Sequence, residues 1–541
     1  MTHGPRWSRI ATLVAGAALL AGSIATPSLV ADRGASDPTP PAADLARGRA
    51  LYERHCSVCH GPEGRGDGPA AFVLDPAPRN FAEGRFRLVS TQNGVPTQGD
   101  LIASIRGGMP GSAMPPWEWL AEEDLWNVAA WVHQLSVDGQ VADLLRWAEA
   151  EGEDLSEPDA RALVEDRVRP GEPIDTGTPA PHDAVTLQIG RRAYVRNCAL
   201  CHGPDGTGNA PVNLSGELLN EDGTPNRARD FTAGIFKGGS SHPDIVRRIV
   251  AGLPGSPMPG TAFEDPAELA ALASYVQSLV KPGAQERVSQ RRRTVPVGRV
   301  DAELPLDPAD ARWRDVEGVW IALMPLWWRD ERVEGLVVRA LHDGNTIALR
   351  LSWHDPSNDD DLLSASSFSD SAAIEISVER DPPLFAMGAT DHPVDIALWR
   401  AAWEADAVAA RDVRDRWPDM PEDVFRALLG DLAEQSITAR AAKNPQSVAS
   451  RPTRAEALTA QGLGTVGPRG AGPSSWSARG AWADGYRDVV FTRAMVSAVE
   501  GEPALSPGLA AFVAFAVWDG SMGDRNGQKV VSVWHRLEVA P

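Results

Sequence analysis

Cys56-Ser-Val-Cys59-His60-Gly61-Pro62-Glu-Gly64-Arg-Gly66 and Cys198-Ala-Leu-Cys201-His202-Gly203-Pro204-Asp-Gly206-Thr-Gly208 are two versions of one phrase, 142 residues apart. Each contains C-x-x-C-H, the arrangement in which two thiols form thioethers to porphyrin vinyl groups and the next imidazole falls beneath the iron. Structural zinc or redox-active pairs are the competing reading of C-x-x-C. They do not account for a His directly after both pairs, nor for the two motifs using all four cysteines of the chain. Cys56, Cys59, Cys198 and Cys201 are therefore expected to attach two haems of the c type, with His60 and His202 on the irons.

The repeat extends in both directions. Upstream, Gly48 and Tyr52 match Gly190 and Tyr194. Downstream, Arg79-Asn-Phe81 matches Arg229-Asp-Phe231, and Phe86 matches Phe236. Leu45 to His55 and Val185 to Asn197 have amphipathic helical spacing, as do Glu122 to Leu135 and Pro266 to Leu279. Each half resembles a small all-α c-type cytochrome. That likeness implies close helix crossings at Gly48 with Trp131 and at Gly190 with Tyr275.

Methionine is the common sixth ligand of a His-ligated haem. Met109 and Met114 compete in the first copy. Pro110-Gly-Ser-Ala-Met114-Pro115 matches Pro254-Gly-Ser-Pro-Met258-Pro259, whereas Met109 aligns with Leu253. The repeat thus selects Met114 and Met258. His55 faces Asn197 in the alignment and reads as a surface residue; His133 and His242 have no histidine partners and read as structural or exposed.

Arg6 and Arg9, the apolar run Ile10 to Ala25 and the site Leu29-Val30-Ala31 read as a signal peptide over 1–31. The expected location is the periplasm, with an uncleaved membrane anchor as the alternative. The net charge of −21 disfavours nucleic acid as a partner. Asp143 to Asp166 holds nine acids against two arginines, which reads as a solvated helical connector. The expected organisation is cytochrome domains at 44–137 and 184–281, linkers at 138–183 and 282–299, and a third domain at 300–541.

In that third region the periodicity changes to two. Gly335 to Ala340 and Asn345 to Trp353, separated by His342-Asp-Gly344, read as a hairpin. Ala373 to Val378, Asp488 to Arg493, Leu509 to Val517 and Lys529 to Val539 are further strands, and Asp395 to Arg440 reads as mostly helical. The expected architecture is a mainly-β sandwich with a helical insertion. It holds 12 of the 18 tryptophans, a number that core packing alone explains.

Trp320-x-x-x-x-Pro325-Leu326, Arg339 to Asp355, Phe385-Ala-Met387-Gly388, His392-Pro-Val394, Ala514 to Gly520 and Arg525 to Trp534 resemble the haem-b subunits of the dimethyl-sulfoxide-reductase superfamily. Ethylbenzene dehydrogenase gamma typifies them. The resemblance implies one non-covalent b-type haem in a β-sandwich, held between Met387 and Lys529. From the residues alone, His354, His392 and His535 would be more usual ligands. An amine must lose its proton to bind iron, at a cost of roughly 4.6 kcal/mol at pH 7 for an unperturbed lysine. An apolar surrounding reduces that cost by penalising the ammonium.

These residues point to a multi-haem electron-transfer protein and to no catalytic residue. Its b-type haem would face a molybdenum oxidoreductase or iron–sulfur subunit. Its c-type haems would face a soluble or membrane-bound cytochrome or quinol system. A haem enzyme such as a di-haem peroxidase, and a di-haem carrier whose β domain only docks, are the alternatives.

Overall fold

Asp44 and Asp183 begin two helices of the same design. Each side chain accepts from a backbone amide three residues on, of Arg47 and Thr186, and so caps Leu45–His55 and Ala184–Asn197. Each helix runs into a single turn carrying the motif, Ser57–His60 or Ala199–His202. In this computed structural model the described residues are 43–379, 382, 387–409, 411, 416–419, 453–469, 474–509 and 511–541. The stretch 1–31, expected as a signal peptide, and the motif residues Phe385 and Ala386 lie outside them.

The expected crossings are present. A Cβ on Gly48 would lie 2.2 Å from the Asn127 carbonyl oxygen and 3.2 Å from Trp131 Cβ; on Gly190 it would lie 2.1 Å from the Ala271 oxygen and 2.7 Å from Tyr275 Cβ. Only glycine lets Leu45–His55 meet Glu122–Glu151, and Ala184–Asn197 meet Pro266–Ser278, this closely. Tyr52 and Tyr194 are buried one turn later, their hydroxyls donating to the carbonyls of Gly61 and Gly203 at 2.6 and 2.8 Å.

The helical connector is present and packed, and one expectation for this half, that of His55, needs correction. Glu122–Glu151 continues for 30 residues, and Glu157–Arg167 packs back on it through Val137, Val141, Ala160 and Val164. Much of the stretch expected as the first linker is thus built helix. His55 is buried at 3% exposure against Trp117, 5.0 Å between ring centres, and not on the surface. Its repeat counterpart Asn197 carried no information, because Trp117 approaches from a distant part of the chain. Every named element between Leu45 and Val288, among the described residues, is helical.

Among the described residues, fourteen strands follow. They are β1 Thr294–Arg299, β2 Val319–Ala322, β3 Met324–Pro325, β4 Gly335–His342 and β5 Thr346–His354. Next come β6 Ser371–Ser377, β7 Val394–Arg400, β8 Ala455–Ala460, β9 Gly467–Pro468 and β10 Ser477–Ala483. The last are β11 Tyr486–Ala494, β12 Ala511–Trp518, β13 Val530–Val531 and β14 His535–Val539. All belong to one hydrogen-bonded network whose main path runs β10-β11-β5-β4-β1-β14-β12-β6-β7-β8-β9. Only β1 pairs in parallel, with β4 on one side and β14 on the other.

The stretch expected as the second linker therefore supplies the helix Ala284–Val288 and a central strand. Asp395 to Arg440 also departs from expectation: its first residues form β7, paired to β6 and β8, and Ala401–Val408 is the helix that follows. The remainder of that stretch lies mainly outside the described residues. Alternating side chains of these strands, including Ile374, Trp399, Phe491, Val513 and Leu537, fill one apolar core. A buried charge network crosses it. Asp395 accepts from Arg493 at 2.8 Å, from Trp476 Nε1 at 3.0 Å and from Arg469.

The first helical copy is joined to the sheet region by backbone hydrogen bonds. The Asp75 amide donates to the Leu326 carbonyl at 3.0 Å, and the Trp328 amide to the Asp75 carbonyl at 2.7 Å. Arg292 adds a clamp, its guanidinium 4.2 Å above Trp119 and its Nε donating to the Trp534 carbonyl at 3.2 Å.

Candidate functional site

In both helical copies the motif histidine is held from two sides. His60 Nδ1 lies 3.0 Å from the Arg79 carbonyl oxygen, and His202 Nδ1 lies 3.4 Å from that of Arg229. A carbonyl only accepts, so each Nδ1 bears the hydrogen and each Nε2 keeps its lone pair for a metal. Phe81 stacks on His60 at 4.7 Å and 20°, and Phe231 on His202 at 4.3 Å and 22°. Phe86 and Phe236 stack behind them. The Arg-x-Phe match is visible in the sequence; its function of orienting the imidazole is not.

Burial lowers the His60 pKa and takes that of His202 down to about 4, so both rings are neutral and fit for coordination. Apolar burial also pushes the thiols up, to about 12 for Cys56 and about 11 for Cys59 and Cys198.

Cys56, Cys59, His60 and Met114 line one cavity; Cys198, Cys201, His202 and Met258 line the second. The methionine loops share a design. The Met109 amide donates to the Met114 carbonyl at 3.0 Å, and the Leu253 amide to the Met258 carbonyl at 3.1 Å. Ser112 and Ser256 receive the Met114 and Met258 amides, each at 3.3 Å. Gly108 and Gly252 start the turns at φ +64° and +67°, where a Cβ would strike the returning backbone at 2.5 Å. Met109 lines the first cavity too. Replacing Met109 by Leu is expected to preserve the weak red methionine–iron absorption, while Met114→Leu removes one haem's share. Loss with Met109→Leu and retention with Met114→Leu would reverse the assignment.

In the sheet region, Met387 and Lys529 both lie near enough to Glu375 of β6 to act on its carboxyl. Burial raises the Glu375 pKa to about 8, opposed by the Lys529 charge and by a hydrogen bond from the Met387 amide. Burial lowers the Lys529 pKa, opposed by Glu375. The Lys529 ammonium lies 4.9 Å from the Trp518 ring centre. Met387 has φ +112°, a strained backbone for a residue with a side chain. Its side chain packs on a cluster that includes Met324, Leu326, Phe512 and Val531. Glu375 lies inside a strand with nothing in its spacing to set it apart, and sequence reasoning missed it.

The three histidines weighed against Lys529 are placed differently. His354 is exposed beside Tyr486. His535 is buried in β14, where Nδ1 accepts from the Arg293 amide at 3.0 Å, and its pKa is lowered to about 3 by burial and by Arg292 and Arg293. His392 is half-buried near Arg54 and Asp391. No group of three or more His, Cys, Asp or Glu ligands gathers at these sites among the described residues. A cluster of Asp359, Asp370 and Asp519 lies elsewhere in the sheet region.

The apolar cluster holding Met387 also contains Leu74 and Ala113 from the first helical copy, and Ala113 directly precedes Met114. Leu326, whose amide donates to the Lys529 carbonyl at 3.2 Å, lines the first c-motif cavity. So does Leu463, next to Gly462, whose amide donates to the Met387 carbonyl at 2.6 Å. At its other side that cavity shares Lys237 with the second. The first c-motif cavity thus adjoins both the Met387 cluster and the second cavity, and the second reaches the sheet region as well, through Arg229 at 3.9 Å from the Trp328 ring centre.

The cytochrome c family model matches residues 45–136 and 187–280, and the ethylbenzene dehydrogenase family model matches 312–530. A Haloferax mediterranei protein named as a respiratory nitrate reductase haem subunit is 26% identical over 256 residues, 46% of this chain and 73% of that protein. The reducing HAO-like protein complex of Kuenenia stuttgartiensis contains a chain 33% identical to this one, covering 43% of this chain and 96% of that one, with a TM-score of 0.36. No helix among the described residues is long and apolar enough to cross a membrane.

Proposed function

We propose that this chain, which joins two cytochrome c domains to a domain of the ethylbenzene dehydrogenase type, is a three-haem electron relay of a respiratory oxidoreductase. Cys56 and Cys59, and Cys198 and Cys201, would each bind a haem c through thioethers. The irons would sit between His60 and Met114 and between His202 and Met258. A b-type haem would sit between Met387 and Lys529. When bound, these groups supply one-electron chemistry. Two protein ligands at each iron leave no position for a substrate, which favours transfer over catalysis.

The observation that carries this reading is that the first c-type cavity adjoins both the Met387 cluster and the second cavity. Leu74, Ala113 and Leu326 belong both to the apolar cluster that holds Met387 and to the lining of the first c-type cavity. Electrons would enter at the b-type site from a molybdenum or iron–sulfur subunit, pass through the first c-type site, and leave from the second to a cytochrome or quinol system, or run in reverse. The nitrate reductase name of the Haloferax relative agrees with such a partner. The leading segment 1–31 supports the periplasm as the location.

Haem composition tests the reading. Acid–acetone extraction followed by pyridine haemochrome spectra of both fractions is expected to give one extractable b-type haem and two covalent c-type haems per chain. Two covalent haems with nothing extractable, in protein matured with ample haem, would reduce the third domain to a docking module.

A further inference from the structure

Beside the two c-motif cavities lies a group of cations whose nearest acids stand beyond ion-pair distance, apart from Arg227 of the second cavity, which pairs with Asp330 at 3.0 Å. Arg79, Arg87 and Lys237 line the first cavity, and Arg229, Arg248 and Lys237 the second. No aspartate or glutamate lines either cavity. None of these five side chains forms an ion pair within 4.0 Å among the described residues. Arg87 Nε, Arg229 Nε and Nη1, and Arg248 Nε and Nη1 are buried without a hydrogen-bond partner. Burial lowers the Lys237 pKa well below its ordinary value, and the next causes are Arg229, Arg87 and Arg79. A buried cation group of this kind is costly unless an anion completes it.

The group is also interlocked and built on the repeat. Arg229 of the second copy donates to the Gly111 carbonyl of the first at 2.7 Å, and Arg248 to the Val89 carbonyl. Arg87 of the first copy donates to Asn220 of the second at 2.9 Å. In sequence, Arg79 corresponds to Arg229, and Arg87, after Phe86, corresponds to Lys237, after Phe236. Equivalent positions of the two copies therefore meet at one place, with Lys237 reaching both cavities.

We infer that this group is a single shared seat for the propionates of both covalent haems, and that Lys237 couples the two irons electrostatically. The inference rests on the c-type reading above. Propionates are the only charged groups on the rim of a haem, and a cavity whose charged lining is entirely cationic suits them and no cationic ligand. Ferric haem carries one more positive charge than ferrous haem, so a nearby cation favours the reduced state. A cation between two haems must therefore act on both.

Lys237→Met in the full chain, matured with haem, is expected to lower the midpoint potentials of both c-type haems in spectroelectrochemical titration. Lys237→Arg is expected to restore both. Covalent haem is counted on the same samples, and a wild-type count below two would overturn the c-type reading itself and this inference with it. With two haems present, a shift confined to one midpoint, or none, overturns the shared seat alone. Should Lys237→Met not mature, Lys237→Gln serves with the same expected and contrary results.

Discussion

Lys529→Arg is expected to give a protein with both covalent haems and essentially no extractable haem. The amine of Lys529 sits over Trp518 in a setting that already lowers its pKa, opposed only by Glu375. Desolvation there removes part of the roughly 4.6 kcal/mol that deprotonation costs in water. A guanidinium stays protonated at any accessible pH and cannot donate to iron. The proposed c-type haems would not depend on this residue, since thioethers would hold them. Lys529→His is expected to recover a six-coordinate spectrum with a shifted potential, because a neutral imidazole needs no comparable deprotonation. An unaltered six-coordinate b-type spectrum in Lys529→Arg would remove Lys529 from the site and turn attention to His392, the one of the three histidines on the Met387 loop.

Asp395→Ala is expected to be the most destabilising single change in the sheet region, by about 3–5 kcal/mol. Asp395 and Arg493 are both 0% exposed in their side chains, and Arg469 and Trp476 share the same carboxylate. Removing the carboxylate leaves two guanidinium groups facing an apolar core, with Glu502 the remaining acid near Arg469. Asp395→Asn, which keeps one acceptor oxygen, should lose less. Urea unfolding followed by tryptophan fluorescence measures this, because the region holds Trp399 and Trp476 in its core. A midpoint unchanged in Asp395→Ala would mean that solvent or rearrangement compensates the arginines.

Residues that act through short, repeated spacing were legible in the sequence. The cysteine–histidine motifs, Gly48 and Gly190, and the choice of Met114 as the counterpart of Met258 all follow from comparing one copy with the other. Val394 to Arg400 was not legible. Its run of Val, Ile, Ala, Leu and Trp is buried on both faces of a central strand, and such a run has no period of two to distinguish it from the helix that follows. β1 was hidden in another way: it contains Pro296 and Gly298, and its partners β4 and β14 lie far along the chain. Met387 and Lys529 came from family resemblance alone. Glu375, which acts on Lys529, stands on β6, far from that lysine in the sequence. The cation group was likewise invisible, since its members become neighbours only when the two copies pack.

We propose that electrons pass between the b-type haem and the second c-type haem through the first, in either direction. The most direct test of this path is stopped-flow oxidation of the fully reduced protein by a soluble oxidised cytochrome, following the b-type band. In a Cys56→Ala/Cys59→Ala variant, which cannot attach the first c-type haem, oxidation of the b-type haem is expected to slow by at least about tenfold, equivalent to about 1.4 kcal/mol of added barrier. Oxidation of the second c-type haem is expected to stay fast. An unchanged b-type oxidation rate in that variant, with the first haem absent, would contradict the relay.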